Sequence, residues 1–261
     1  MISYPPELLK TCLSCVDLTS LNTTDTEAKI ADMAQKLNDF AQYFPDLPLP
    51  AAICVYPSFT KILRKTLTAN GVRIAVTGAG FPSSQTFLAV KIQECRMAVE
   101  EGADELDVVL SLNYFLSGDY ARAGEEISRI KEAIGPAHLK VILESGTLAE
   151  PQAIALASRI AMEAGADFIK TSTGKSEPAA TPEAATVMCT EILYFYQKTG
   201  KKIGFKPAGG IQTPKDAIDY YTIVQEMLGP EWLNPSLFRI GASRLVNNLL
   251  TTLCHRPVGY F

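Results

Sequence analysis

The sequence predicts an α/β fold: a single (β/α)8 TIM barrel of parallel strands occupying residues 1–261. Three observations predict it. Eight apolar runs of strand length recur along the chain, amphipathic segments fill the gaps between them, and the total length suits one barrel of about 250 residues. The strand runs, in order, are 13-LSCVDL-18, 51-AAICVY-56, 73-RIAVTG-78, 104-DELDVVL-110, 138-HLKVILE-144, 167-DFIKTS-172, 202-KIGFKP-207 and 238-FRIGAS-243. They are short and rich in Val and Ile. They do not read as cleanly alternating, as expected where both faces of a strand are covered.

Six helices are expected between them: 25–44, 86–102, 119–135, 148–165, 182–200 and 214–229. Gly102, Gly165 and Gly229 stand where a left-handed C-terminal cap belongs. Thr181 and Thr213 each precede a proline, the pattern of an N-cap followed by proline at the first helical position. The Pro-rich 45-PDLPLP-50 reads as a loop into the second strand. An open doubly wound sheet is the rival architecture. It is weakened because no GxGxxG follows the first strand.

The net charge of −4 offers no basic footprint for nucleic acid. MISYPPELLK lacks the basic start and apolar core of a signal peptide, and no run approaches the roughly 20 apolar residues of a membrane span. A cytoplasmic protein is the expectation. Six cysteines include one CxxC spacing, Cys12 and Cys15, with no second pair to complete a zinc site, so all six are expected as reduced thiols. The two histidines, His138 and His255, lie far apart and HExxH is absent. No metal centre and no other cofactor is expected.

One internal echo points to chemistry. Residues 102-GADELD-107 match 165-GADFIK-170, so Asp107 and Lys170 occupy equivalent positions on strands four and six. Side chains alternate faces along a strand. In the same phase, both point the same way near the C-terminal ends, the active-site face of a barrel. Lys206 ends the seventh strand as Lys170 ends the sixth. A lysine at a strand exit can simply reach solvent. Two of them with a carboxylate make a different pattern, because neighbouring cations favour one neutral, nucleophilic amine.

The segment 174-GKS-176 looks like the end of a nucleotide-binding P-loop, but Ile169 stands where that motif needs glycine. Small-residue loops nevertheless follow strands six, seven and eight: 171-TSTGK-175, 207-PAGGI-211 and 240-IGASR-244. Such loops are either plain tight turns or a phosphate cradle, since glycine lets backbone N–H groups approach an anion.

With 17-DLTSLN-22, 52-AICVYP-57, 103-ADELDVV-109, 140-KVILESG-146, 169-IKTSTGK-175, 204-GFKPAGGI-211 and 239-RIGAS-243 in order along nearly the whole chain, the sequence resembles the deoxyribose-phosphate aldolases, class I Schiff-base lyases. The resemblance implies reversible cleavage of 2-deoxy-D-ribose 5-phosphate, with Lys170 as the Schiff-base nucleophile, Lys206 as the nearby ammonium and Asp107 shuttling protons through a water. Asp17 would hold Lys206. Thr173 and Cys54 would line the substrate, and Gly174, Lys175, Gly209, Gly210, Gly241 and Ser243 would hold its phosphate.

The resemblance also implies a homodimer, with a small phosphorylated sugar as the only other partner. Gln212 stands where relatives carry arginine, and Arg244 is a charge that could replace it. Some relatives end in a tyrosine that folds back toward the site; here Tyr260 is penultimate, and the alternative is a frayed tail. Two other classes stay open on the residues alone: a metal-independent sugar-phosphate isomerase and a non-catalytic phosphosugar-binding barrel.

Overall fold

The computed structural model describes residues 4–261. Its elements are α1 (Pro6–Ser14), β1 (Val16–Thr19), α2 (Glu27–Tyr43), β2 (Ala52–Val55), α3 (Thr60–Thr66), β3 (Arg73–Gly78), α4 (Leu88–Glu100), β4 (Glu105–Val109), α5 (Leu112–Leu116), α6 (Tyr120–Ile134), β5 (His138–Ile142), α7 (Ser145–Leu148), α8 (Pro151–Glu163), β6 (Phe168–Lys170), α9 (Pro182–Thr199), β7 (Gly204–Lys206), α10 (Pro214–Leu228), β8 (Ile240–Ala242) and α11 (Leu245–Leu253). All strand pairs are parallel, β1 through β7 follow one another, and β8 lies beside β1. The ring closes between β7 and β8 through the bridges Phe205–Phe238 and Ala208–Gly241. There Arg239 N donates to Phe205 O (3.0 Å) and Gly241 N to Pro207 O (2.9 Å). The expected barrel is present.

Strand alternation sorts the residues into two layers. Ile53, Val55, Ile74, Val76, Leu106, Val108, Val141, Ile169, Phe205 and Ile240 face the helices and join one continuous apolar core. Burying a side chain of this size is worth about 1.5–3 kcal/mol, so this outer layer dominates the barrel's stability. The alternate positions face the barrel interior. There Ala52, Cys54 and Ala75 form a small apolar patch, and the other strands contribute Asp17, Glu105, Asp107, Lys140, Lys170, Lys206 and Arg239, all buried.

Helix starts follow their caps. Thr26, Asp119 and Thr181 accept from backbone N–H groups two or three residues into α2, α6 and α9. Thr213 forms a reciprocal capping box with Asp216 at α10. Gly102, Gly165 and Gly229 all have positive φ at the helix ends.

Three expectations need correction. Residues 13–15 belong to the end of α1 and its turn, so the first strand begins at Val16; Leu13 is buried as a helix residue. Helices α1, α3, α5 and α11 lie outside the six expected segments. At five to nine residues they are too short for a helical period to stand out. The C-terminal residues are neither frayed nor turned toward the strand ends. Tyr260 packs against Phe40, Tyr43 and Phe44 of the α2 region, and its hydroxyl donates to Lys36 O (2.8 Å). The six cysteines are all free thiols, with burial pushing Cys12 and Cys15 up to about 12. No helix of the described residues is long and apolar enough to cross a membrane. The first three residues of the N-terminal stretch MISYPPELLK lie outside the described part.

Candidate active site

Inward positions of β5, β6 and β7 converge on one carboxylate of β4. Asp107 Oδ2 accepts from Lys170 Nζ (2.8 Å) and Lys206 Nζ (2.7 Å), and its Oδ1 accepts from Lys140 Nζ (3.1 Å). Lys206 also donates to Asp17 Oδ2. The GAD echo therefore places Asp107 and Lys170 in direct contact, and Asp17 pairs with Lys206 as expected.

Three further charged residues complete the cluster and were not singled out from the sequence. Lys140 Nζ lies 2.5 Å from Glu105 Oε2 as well as contacting Asp107. The Arg239 guanidinium spans two carboxylates, donating to Asp17 Oδ1 (2.7 Å) and to both Glu105 oxygens (3.0 and 2.7 Å). The Lys140 and Arg239 charges also lie 6.0 and 5.7 Å from the Phe168 ring centroid. The signal for all three was in the strands: each is a charged side chain inside an otherwise apolar run, 104-DELDVVL-110, 138-HLKVILE-144 or 238-FRIGAS-243.

These contacts decide the protonation states. Burial pushes the Asp107 carboxyl up, but Lys140, Lys170 and Lys206 outweigh it and hold it well below the usual range. Asp17 is likewise held far below its ordinary value, burial being overcome by Lys206, Arg239 and Lys140. Burial alone would lower Lys206; Asp107 and Asp17 overcome it and hold the ammonium far above its ordinary value. Lys140 is raised too, against burial, by Asp107 and Glu105. Lys206 is therefore a fixed cation beside Lys170.

Above this cluster opens a cavity of about 250 Å³. Lys170 lines it, together with Thr19 at the end of β1, Leu21 and Asn22 from the loop after it, and the three small-residue loops after β6, β7 and β8. Gly174, Lys175, Gly209, Gly210, Gly241 and Ser243 are all in its wall. Two close approaches require glycine. A Cβ on Gly209, at φ +87°, would lie 2.5 Å from Ala179 Cβ, and one on Gly241 would lie 2.8 Å from Ala208 Cβ. The loops after β6 and β7 thus pack in direct contact, and loops of this kind can turn backbone N–H groups toward an anion. Lys175 Nζ donates to Leu21 O across the mouth. Gln212 lines the cavity; Arg244 is exposed and does not.

Thr173 lines the cavity as expected, and a residue not anticipated holds it. Glu144 accepts from Thr173 Oγ1 (2.6 Å) and Thr173 N (3.0 Å). It does so from a left-handed conformation, φ 55° and ψ 55°, that few non-glycine residues adopt. Cys54 needs a different placement. It has no exposed surface and is absent from the cavity wall; it pairs in register with Thr19 and faces the barrel interior. Tyr260 is also absent from the wall, its hydroxyl being committed to Lys36.

Comparison with known proteins agrees with this geometry. Residues 11–226 match the family model described as DeoC/LacD family aldolase. The chain is 42% identical to the human deoxyribose-phosphate aldolase over 265 residues, covering 97% of this chain and 83% of the human one. Among solved structures it is similar to the putative deoxyribose-phosphate aldolase of Coccidioides immitis, with a TM-score of 0.78 and 25% identity over 96% of this chain and 88% of that one. It is also similar to the tetrameric deoxyribose phosphate aldolase of Aeropyrum pernix, with a TM-score of 0.71 and 25% identity over 93% and 91%.

Proposed function

The chain belongs to the DeoC/LacD family of aldolases, and on that premise we propose that it reversibly cleaves 2-deoxy-D-ribose 5-phosphate through a Schiff base on Lys170. The products are D-glyceraldehyde 3-phosphate and acetaldehyde. The observation that carries this reading is Lys170, 2.8 Å from Asp107 where the charged cluster meets the cavity. Asp17, Glu105 and Asp107 are balanced by Lys140, Lys206 and Arg239, three charges of each sign. Lys170 is the fourth nitrogen-bearing side chain of the cluster and the one member of it that lines the cavity. A neutral amine at that place is the form that attacks an aldehyde.

Attack of Lys170 on the aldehyde carbon gives a carbinolamine, which loses water to become an iminium. The iminium draws in the C2–C3 bonding pair as the C3 hydroxyl loses its proton, and glyceraldehyde 3-phosphate departs. The remaining enamine is protonated at C2, and hydrolysis frees acetaldehyde and the amine. The iminium is the electron sink, so the chemistry calls for no cofactor. Asp107 relays the proton. As an enamine, Lys170 carries no charge, so Asp107 loses one of its three ammonium neighbours when it must accept the proton. Such acid–base help is worth about 10²–10⁴-fold.

Lys206 is the fixed ammonium beside the nucleophile and Asp17 holds it. Thr173 meets the sugar hydroxyls, and Gly174, Lys175, Gly209, Gly210, Gly241 and Ser243 hold the phosphate. That grip is remote from the broken bond and positions it. The reading places the protein in the cytoplasm, as a homodimer with one barrel domain in each chain.

Borohydride reduction in the presence of substrate, followed by mass spectrometry, tests the proposal. A two-carbon adduct on Lys170 is expected, and Lys170→Ala should lose both adduct and turnover. An adduct elsewhere, or activity surviving Lys170→Ala, overturns it. An isomerase using a carboxylate base would survive borohydride, and a binding protein would show no turnover.

A further inference from the structure

Five carboxylates are buried among the described residues, and four of them, Asp17, Glu105, Asp107 and Glu126, meet a lysine or an arginine. The fifth, Glu144, is 5% exposed and forms no ion pair among the described residues. Buried charges are normally paired with charges of the opposite sign. Both partners of Glu144 lie instead on Thr173: Oε2 accepts from Thr173 Oγ1 (2.6 Å) and Oε1 from Thr173 N (3.0 Å). Only a carboxylate offers an acceptor oxygen to each of two donors; an amide offers one.

The backbone around Glu144 is tied to the strand that carries the nucleophile. Leu143 N donates to Lys170 O and Ser145 N to Thr171 O, both at 2.9 Å. Between them Glu144 takes its left-handed conformation, a strained one that persists where the surroundings over-determine it. The side chain is thereby fixed relative to Lys170, and Thr173 with it. The consequence is a polarity. A threonine hydroxyl has one proton and two lone pairs. The Thr173 proton goes to Glu144, and one lone pair takes Lys175 N (3.0 Å). One lone pair remains, on a residue that lines the cavity. Thr173 Oγ1 therefore meets a ligand only as an acceptor.

We propose that Glu144 is a positioning residue that makes the cavity select phosphorylated aldehydes with a hydroxyl on the carbon next to the carbonyl. The inference rests on the Schiff-base reading above. Thr173 stands in the chain between Lys170, which takes C1, and Gly174 and Lys175, which take the phosphate on C5. Two hydroxyls of the sugar lie between those ends. The C3 hydroxyl becomes the carbonyl of glyceraldehyde 3-phosphate and stops being a donor. The C4 hydroxyl keeps its proton on both sides of the reaction, and in glyceraldehyde 3-phosphate it is the one beside the carbonyl. An acceptor-only partner suits that hydroxyl throughout, and Glu144 holds the competing Thr173 proton away from it.

The test measures kcat/KM for addition of acetaldehyde to two acceptors, D-glyceraldehyde 3-phosphate and 3-oxopropyl phosphate, which lacks only that hydroxyl. Wild type should favour glyceraldehyde 3-phosphate about 10- to 100-fold, the ordinary cost of leaving one buried acceptor unpaired. In Glu144→Gln the amide can donate to Thr173 Oγ1, and the preference should fall to within a few-fold of unity, the loss lying on glyceraldehyde 3-phosphate. Both acceptors carry the phosphate, so removal of a negative charge cancels in the ratio. Thr173→Val should lose the preference and Thr173→Ser keep it. The double variant Glu144→Gln/Thr173→Val should show no lower preference than Thr173→Val. A Glu144→Gln enzyme with wild-type preference overturns the proposal, as do an equal loss on both acceptors and a further fall in the double variant. If Glu144→Gln does not fold, Glu144→Asp takes its place: its shorter side chain falls short of Thr173, so a lost preference supports the proposal and an unchanged one overturns it. Wild-type enzyme that fails to trap acetaldehyde on Lys170 under borohydride refutes the aldolase reading itself. Wild type that traps it without preferring glyceraldehyde 3-phosphate refutes only the role of Glu144.

Discussion

Two oxygens of Asp107 hold three ammonium groups, and one of those, Lys206, is shared with Asp17. Lys206 is therefore structural as well as electrostatic. Removing one partner of a buried ion pair costs about 3–5 kcal/mol, because the remaining charge is left uncompensated. Urea unfolding of Lys206→Met should show a loss of that size. The cluster also predicts a pH dependence. Asp17 and Asp107 are depressed in the folded state, so the stability they contribute is present above the ordinary carboxylate value of 3.8 and is lost as pH falls through their folded values. Lys206 is raised, so its contribution is complete below the ordinary lysine value of 10.5 and is lost only at more alkaline pH. The unfolding free energy of wild type should therefore be insensitive to this cluster near neutrality and fall below about pH 4. Lys206→Met should show a shallower acid slope, since its carboxylates lose the charge that depresses them. For turnover, Asp107→Asn should cost about 10²–10⁴-fold, the ordinary worth of a positioned acid–base group.

At the scale of elements, the strand ends depend on a match of large and small side chains across β6 and β7. A Cβ on Gly204 would lie 2.2–2.5 Å from the Phe168 ring, and that ring sits against Lys140 and Arg239. Gly204→Ala forces the ring to move, at a cost of about 1–3 kcal/mol for overpacking. Denaturant unfolding should read that loss, with kcat falling as the charged layer shifts. The helices offer a milder contrast. Thr213→Ala removes a capping box on the exposed end of α10 and should cost about 1 kcal/mol with catalysis unchanged. The Thr-Pro caps were legible because a cap is a local contact over three residues. The short helices α3 and α11 were not, because seven to nine residues hold barely two turns of a pattern.

At the scale of the whole molecule, three loops from β6, β7 and β8 act as one anion site only because the barrel closes. Inorganic phosphate should therefore stabilise the folded protein. At 100 times its dissociation constant the gain is about 2.7 kcal/mol, read as a rise in Tm. Gly209→Ala should abolish that rise, because the substitution meets Ala179 and requires an alanine at φ +87°.

The order of eight strands, the barrel they form, Lys170 and Lys206 at strand ends and Asp107 in phase with Lys170 all follow from the sequence, because apolar runs and the GAD echo are local patterns. Lys140, Glu105 and Arg239 also stand out as charges inside otherwise apolar runs, but the sequence left them unassigned. The tertiary structure alone decided which charge meets which. Asp17 reaches Lys206 across 189 residues, and Arg239 reaches Asp17 across 222, because closing the ring sets β8 beside β1. It alone decided that Glu144 adopts a left-handed turn to hold Thr173, that Cys54 faces the interior away from the cavity wall, and that Tyr260 docks on α2. Contacts across a barrel depend on where each strand sits around the ring, and no local pattern of residues carries that angle.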